Sequence, residues 1–203
     1  MTAPAFPIAI LAAGRASRFG GGKLDAICAG KPLGRWVLDA VAAADAPPGL
    51  LIVGPQTPAF AQEAMLDGWT LITNAESERG LASSVALAAV HAECLRADGL
   101  ILLLGDMPLI AAETIHALLN PETPDAPIAV RYPSGRPGVP ARFPATMLAA
   151  LAMLDGDRGA AALLQRRHDL RLLEVGPDAL LDVDDAAALV RAETLLRKAG
   201  RPR

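Results

Sequence analysis

Leu100-Ile101-Leu102-Leu103-Leu104 runs straight into Gly105-Asp106-Met107-Pro108. Five apolar residues in a row, with no polar residue at alternate positions, leave no face for water. A strand of that kind is buried on both sides, as in a parallel sheet covered by helices front and back. Further strand-like runs stand at Ile8–Leu11, Leu50–Val53, Thr70–Thr73, Ile128–Arg131 and Leu170–Val175. Helical patterns fall between them, at Leu33–Ala44, Ala59–Leu66, Leu81–Ala97, Ala112–Leu119, Ala145–Leu154 and Ala160–Arg167, with a closing helix at Asp185–Lys198. This alternation predicts a single three-layer α/β/α domain with a Rossmann-like, mostly parallel sheet over residues 1–199, and a frayed tail at 200–203. One segment breaks the rhythm. Tyr132–Pro144 reads Y-P-S-G-R-P-G-V-P-A-R-F-P and is expected to form an excursion over the sheet, because proline cannot donate to a ladder.

The chain has 203 residues and a formal net charge of -3. That length supports a substantial core without disulfides. A pI near 5.6 and scattered arginines give no electrostatic footprint for nucleic acid. Cys28 and Cys94 are too few for a disulfide scaffold or a zinc site, and are expected to be reduced, small apolar side chains of a cytoplasmic protein. The apolar run at Ile8–Ala13 is shorter than a membrane span and lacks the basic flank of a secretory signal, so the mature chain is expected to start near Met1, with no membrane partner. His91, His116 and His168 have no partnering nucleophile or metal-ligand spacing and read as surface or satisfied residues. Trp36 and Trp69 read as packing.

In an open parallel sheet, ligands bind beyond the carboxyl ends of the strands. The first such segment is Leu11-Ala12-Ala13-Gly14-Arg15-Ala16-Ser17-Arg18-Phe19-Gly20-Gly21-Gly22-Lys23. Its glycines let backbone N–H groups face a ligand, and its three cations can neutralise a polyphosphate. Lys23 supplies a compact point charge, and Arg18 a fork for two oxygens. It is not a P-loop, because Ser17 stands where the first glycine is required and Leu24 follows the lysine. It is not a dinucleotide fingerprint either, since Ala16 and Phe19 replace two glycines and no acidic residue lies at the expected distance. A solvated surface turn is the alternative reading of such a loop.

Asp106 follows the Leu100–Leu104 strand, where a carboxylate can serve a hard cation such as magnesium, or cap a helix. Leu181-Asp182-Val183-Asp184-Asp185 precedes the closing helix and suits either metal binding or N-capping. Gly80-Leu81-Ala82-Ser83-Ser84 opens a helix, so its N–H groups and hydroxyls can face a ligand, and Ser83 or Ser84 can also cap. Asn74, just after its strand, is a candidate for the base or ribose.

Taken together, L-A-A-G-x-x-x-R-F-G with its following lysine, the D-M-P turn, the G-L-A-S-S turn and the late D-V-D-D element resemble the nucleotidyltransferases related to molybdenum-cofactor cytidylyltransferase and guanylyltransferase. Gly135–Phe143 and Leu154–Gly159 resemble that family's acceptor-side segments, with Val139 in place of the usual histidine or asparagine and Arg142 as an extra cation. The resemblance implies the nucleotide-diphospho-sugar transferase type of fold and a magnesium-dependent transfer with release of pyrophosphate. Asp106 and Asp184 would be the metal ligands, with Asp157 either assisting or capping its helix. Arg18, Lys23 and Asp106 would be catalytic, and Leu11, Ala12, Ala13, Gly14, Arg15, Asn74, Gly80, Ser83 and Ser84 would bind nucleotide. Ala13 stands where the guanylyl branch has glycine, which favours CTP over GTP. Molybdopterin is then the implied acceptor, with a molybdoenzyme as possible partner. A sugar phosphate or other phosphorylated small molecule is the alternative acceptor, and a non-catalytic nucleotide-binding chaperone the alternative class.

Overall fold

A computed structural model describes residues 6–14, 19–156 and 160–200. In chain order its strands and helices are β1 (Ile8–Ala12), the two-residue strands β2 (Ile27–Cys28) and β3 (Lys31–Pro32), α1 (Arg35–Ala43), β4 (Leu50–Val53), α2 (Ala59–Leu66), β5 (Thr70–Thr73), α3 (Leu81–Cys94), β6 (Gly99–Leu104), α4 (Ala112–Leu119), β7 (Ile128–Arg131), β8 (Pro137–Pro144), α5 (Leu148–Ala152), α6 (Ala161–Leu164), β9 (Arg171–Leu173) and α7 (Ala186–Lys198). Seven strands form one sheet in the order β5-β4-β1-β6-β8-β7-β9, and β8 runs against its two neighbours. The other pairings in this sheet are parallel.

The continuous apolar runs are buried on both faces, as their lack of alternation demands. Along β1, Ile8, Ile10 and Ala12 enter one core and Ala9 and Leu11 the other; along β6, Ile101 and Leu103 separate from Leu100 and Leu102 in the same way. The first core is closed by α1, α2, α4 and α7, the second by α3, α5 and α6. In α3 the inward stripe Val85, Ala88, Ala89 and Ala92 follows helical spacing, and its small side chains let the helix lie close to the sheet. The edge strands β5 and β9 carry exposed and half-buried residues instead.

The proline-rich segment departs from its expected excursion. Residues 137–144 form β8, an eight-residue strand inside the sheet. Its prolines sit where a missing N–H costs little: Pro137 and Pro144 end the strand, and Pro140 lies in a bulge, where the partner register jumps from Ala141 to Gly138 as β7 advances from Ala129 to Val130. The helix expected over Ala145–Leu154 is a 3-10 turn followed by the short α5, and that expected over Ala160–Arg167 stops at Leu164. Beyond Leu164, residues 165–169 are all exposed and offer no apolar face to bury. Cys28 is buried and Cys94 is exposed; both are free thiols. Trp36 and Trp69 pack in the first core, as expected. None of the helices is long and apolar enough to cross a membrane, among the described residues.

Candidate active site

β1 and β6 lie side by side and in register, so their carboxyl ends open on the same edge of the sheet. The Gly105 N–H donates to the Leu11 carbonyl (3.0 Å), extending the ladder one step and setting Asp106 beside the start of the glycine loop. On the other side, the Val183 N–H donates to the Asp106 carbonyl (3.1 Å), which ties the D-V-D-D segment to the D-M-P turn. Val183 is fully buried. In extended chain, side chains alternate, so anchoring Val183 sends Asp182 and Asp184 the other way, and both line the cleft.

The cleft has a volume of about 340 Å³, within the range of small-ligand sites. Its floor is the end of β1, Leu11 to Gly14, with Leu104 from β6. Lys23 enters from the glycine loop. Gly20, Gly21 and Gly22 take φ values of 84°, 97° and 61°, three successive left-handed positions that a residue with a Cβ would adopt only with strain. That turn delivers Lys23, only 8% exposed, with Nζ 2.6 Å from Oδ2 of Asp106 and 3.4 Å from Oδ1 of Asp184. Gly80, at φ 92°, makes the corresponding turn into α3, and Gly80 and Ser84 face the cleft.

Charge dominates this space. Asp106, Asp182, Asp184 and Glu78 line it against the single described ammonium of Lys23. Asp182 feels the crowding: burial first, then the carboxylates of Asp106 and Asp184, push its carboxyl up to about 6, with Lys23 pulling the other way. Its Oδ1 is buried and, among the described residues, accepts no hydrogen bond. The nearby Tyr132 hydroxyl is pushed upward by burial and by Asp182 and Asp106, and donates to the Val139 carbonyl (2.8 Å). Among the described residues no three His, Cys, Asp or Glu side chains converge into a cage for a metal. The oxygen donors Asp106 and Asp184, already closed around one cation, suit a hard ion that keeps most of its shell for water and substrate phosphates.

The structure therefore brings together Leu11, Ala12, Ala13, Gly14, Lys23, Gly80, Ser84, Asp106 and Asp184. Asp185 caps α7, its Oδ1 accepting from the Ala188 N–H at 2.8 Å, which leaves Asp184 to face Lys23; capping and cation binding are divided between adjacent residues. Asn74 and Ser83 are not brought to this cleft. Asn74, 4% exposed, donates to Ser83 Oγ (2.8 Å) and Ser84 Oγ (3.0 Å) and accepts from the Glu76 N–H (3.0 Å), pinning the start of α3 to the end of β5. Ser83 Oγ also bonds the Gly80 carbonyl. Arg142 is turned away too. It is 2% exposed, donates to the carbonyls of Leu118, Leu119 and Pro124, and stacks on Phe6, so the extra cation secures the end of α4 and does not line this cleft. Arg15, Arg18 and Asp157 lie outside the described residues. Asp182, Ser77, Glu78 and Leu81 line the cleft without having been singled out as binding residues; the alternation in Asp182-Val183-Asp184 was the readable signal for the first.

A mostly parallel sheet with one reversed strand, a glycine loop after β1 and an aspartate after β6 fit the class that the family match defines: this is a nucleotidyltransferase domain. The model of the MobA-like NTP transferase domain matches residues 8–171, and the chain belongs to that family. Purine catabolism protein PucB of Bacillus subtilis is 30% identical over 128 residues, which are 62% of this chain and 58% of PucB. The chain thus spans little more than half the length of that relative. Rv0371c from Mycobacterium tuberculosis is 29% identical, with a TM-score of 0.76 over 93% of this chain and 98% of its own, and it has also been solved in complex with manganese. A nucleotidyl transferase from Methanothermobacter, 20% identical, shares the fold at a TM-score of 0.77 over 95% of this chain and 97% of that one.

Proposed function

We propose that this chain transfers CMP from CTP to a phosphorylated small molecule, molybdopterin foremost, with release of pyrophosphate and with magnesium held by Asp106 and Asp184. The observation that carries the reading is the Lys23 ammonium between those two carboxylates at the end of the glycine loop. Magnesium bound there supplies charge neutralisation and in-line orientation of the phosphates. The chain's own part is positioning and electrostatics. Backbone N–H groups from Ala13 to Arg15 would cradle phosphate oxygens; Lys23 and Arg18 would neutralise charge on the transferred and leaving groups; and the acceptor phosphate would bring its own ionised oxygen, so no protein nucleophile is needed. Ala13 lines the cleft, and a methyl at this turn supports a pyrimidine over a purine.

Manganese in the Rv0371c structure supports a divalent ion in such a site. The experiment is a pyrophosphate-release screen of the four nucleoside triphosphates with magnesium, with and without molybdopterin. Release from CTP that needs metal and acceptor is expected. Strict preference for GTP would overturn the base assignment, release with a sugar phosphate alone would overturn the acceptor, and nucleotide binding without turnover would make the chain a binding module.

A further inference from the structure

Lys23 does not reach the cleft through the glycine turn alone. It opens a one-turn 3-10 segment, Lys23–Asp25, and the last residue of that turn reaches backward. The carboxylate of Asp25 accepts from the Ala59 N–H (2.8 Å, Oδ2) and the Phe60 N–H (2.9 Å, Oδ1), the first two residues of α2. These donors belong to the set a helix leaves unsatisfied at its N-terminus, and a charged acceptor makes such bonds stronger than a neutral one. Around this clamp the packing allows little slip. Phe60 is 1% exposed and its ring lies where a side chain on Gly34 would be, the nearest ring atom 2.4 Å from the position of a Cβ there. The Gly34 N–H donates to the Leu24 carbonyl and the Leu33 N–H to the Ala26 carbonyl, both at 2.9 Å.

The clamp also spans a cavity. A second hollow of about 250 Å³ adjoins the cleft, and its lining includes both Gly21 to Asp25 and Gly54 to Pro58. Asp25 joins those two segments, since α2 begins directly after Pro58. Besides this clamp, the turn carrying Lys23 is held by the backbone bonds that follow it, by Leu24 in the first core and by the ion pairs of Lys23 itself.

We propose that Asp25 is the positioning residue for Lys23: its two-oxygen clamp on α2 fixes the turn from which the ammonium is aimed at the phosphate site. The effect on catalysis rests on the nucleotidyltransferase reading; the effect on Lys23 itself does not. The test uses the full chain as Asp25→Ala, Asp25→Asn, Lys23→Met and the Asp25→Ala/Lys23→Met pair. Lys23 acylation by an amine-reactive ester, read by peptide mass spectrometry, should be low in the native protein and rise about tenfold or more in Asp25→Ala, with Asp25→Asn between the two because its amide keeps one acceptor oxygen. KM for the nucleotide should rise about tenfold in Asp25→Ala, and Asp25→Ala should add almost nothing in the Lys23→Met background, as expected for two residues acting as a unit. An unchanged acylation rate, or the same factor lost in both backgrounds, overturns the proposal. If Asp25→Ala fails to fold, Asp25→Asn answers the same questions. If the wild type turns over no nucleotide, the functional reading fails and the acylation measurement still decides the role of Asp25.

Discussion

The Nζ atom of Lys23 lies 2.6 Å from Oδ2 of Asp106, so the residue expected to meet phosphate is paired with the residue expected to meet metal. In the proposed reaction each has a second partner, which would make metal and nucleotide binding interdependent. Lys23→Met removes the ammonium and leaves Asp106, Asp182 and Asp184 facing one another, so manganese alone should bind about tenfold more tightly than to the wild type. Nucleotide affinity at saturating metal should move the other way, by a similar factor. Manganese electron paramagnetic resonance and nucleotide titration read the two effects separately; a loss of both affinities would contradict the pairing.

Asp182 makes the stability of the metal-free protein depend on pH. Its carboxyl is pushed up to about 6, so the folded state favours its protonated form. The sign follows: its contribution is intact below about 3.8, the ordinary carboxylate value, and is lost as pH rises through about 6. Asp182→Asn, which carries no charge, should therefore raise the melting temperature at pH 8 in the presence of a chelator by several degrees, the effect of roughly 1–2 kcal/mol, and the gain should disappear near pH 4. Thermal scans at the two pH values check this.

Arg142 should matter for stability and hardly at all for the acceptor. Arg142→Met removes three carbonyl partners' donors in a buried place and should cost about 2–4 kcal/mol in urea unfolding. KM for the acceptor should stay within about twofold, since the guanidinium points to α4 and not to the cleft.

The two thiols should behave differently. Burial, then Glu193, push the Cys28 thiol up to about 11, while Cys94 is exposed on α3. A thiol reagent at neutral pH should modify one cysteine per native chain and two after unfolding; rapid reaction of both in the native protein would contradict the packing of Cys28 beneath Trp36, whose Nε1–H donates to the Cys28 carbonyl.

Much of this molecule is readable along the chain. Ile8 to Leu11 and Leu100 to Leu104 announce strands buried on both faces, and the segments that follow them do meet in one cleft. Asp106 and Asp184 both pair with Lys23. Residues 137–144 were misleading because proline content speaks of lost donors, and says nothing of where a ladder has a bulge or an end to absorb them. Arg142, the extra cation in an acceptor-side segment, could not be placed from the sequence, because the three carbonyls that satisfy it lie 18 to 24 residues away and come together only in the fold. The place of Asn74 after β5 suits a contact to base or ribose and equally suits an amide bonding the next helix, as it does here with Ser83 and Ser84.

The central claim is that Asp106 and Lys23 form the working end of a metal-dependent cytidylyl transfer. The most direct measurement is pyrophosphate release from CTP, with magnesium and molybdopterin, by the wild type and by Asp106→Asn, a variant that keeps the shape of the turn and loses the charge. The wild type should release pyrophosphate only when metal is present, and Asp106→Asn should fall by about a hundredfold or more with its melting temperature nearly unchanged. Release by Asp106→Asn at the wild-type rate would contradict the claim.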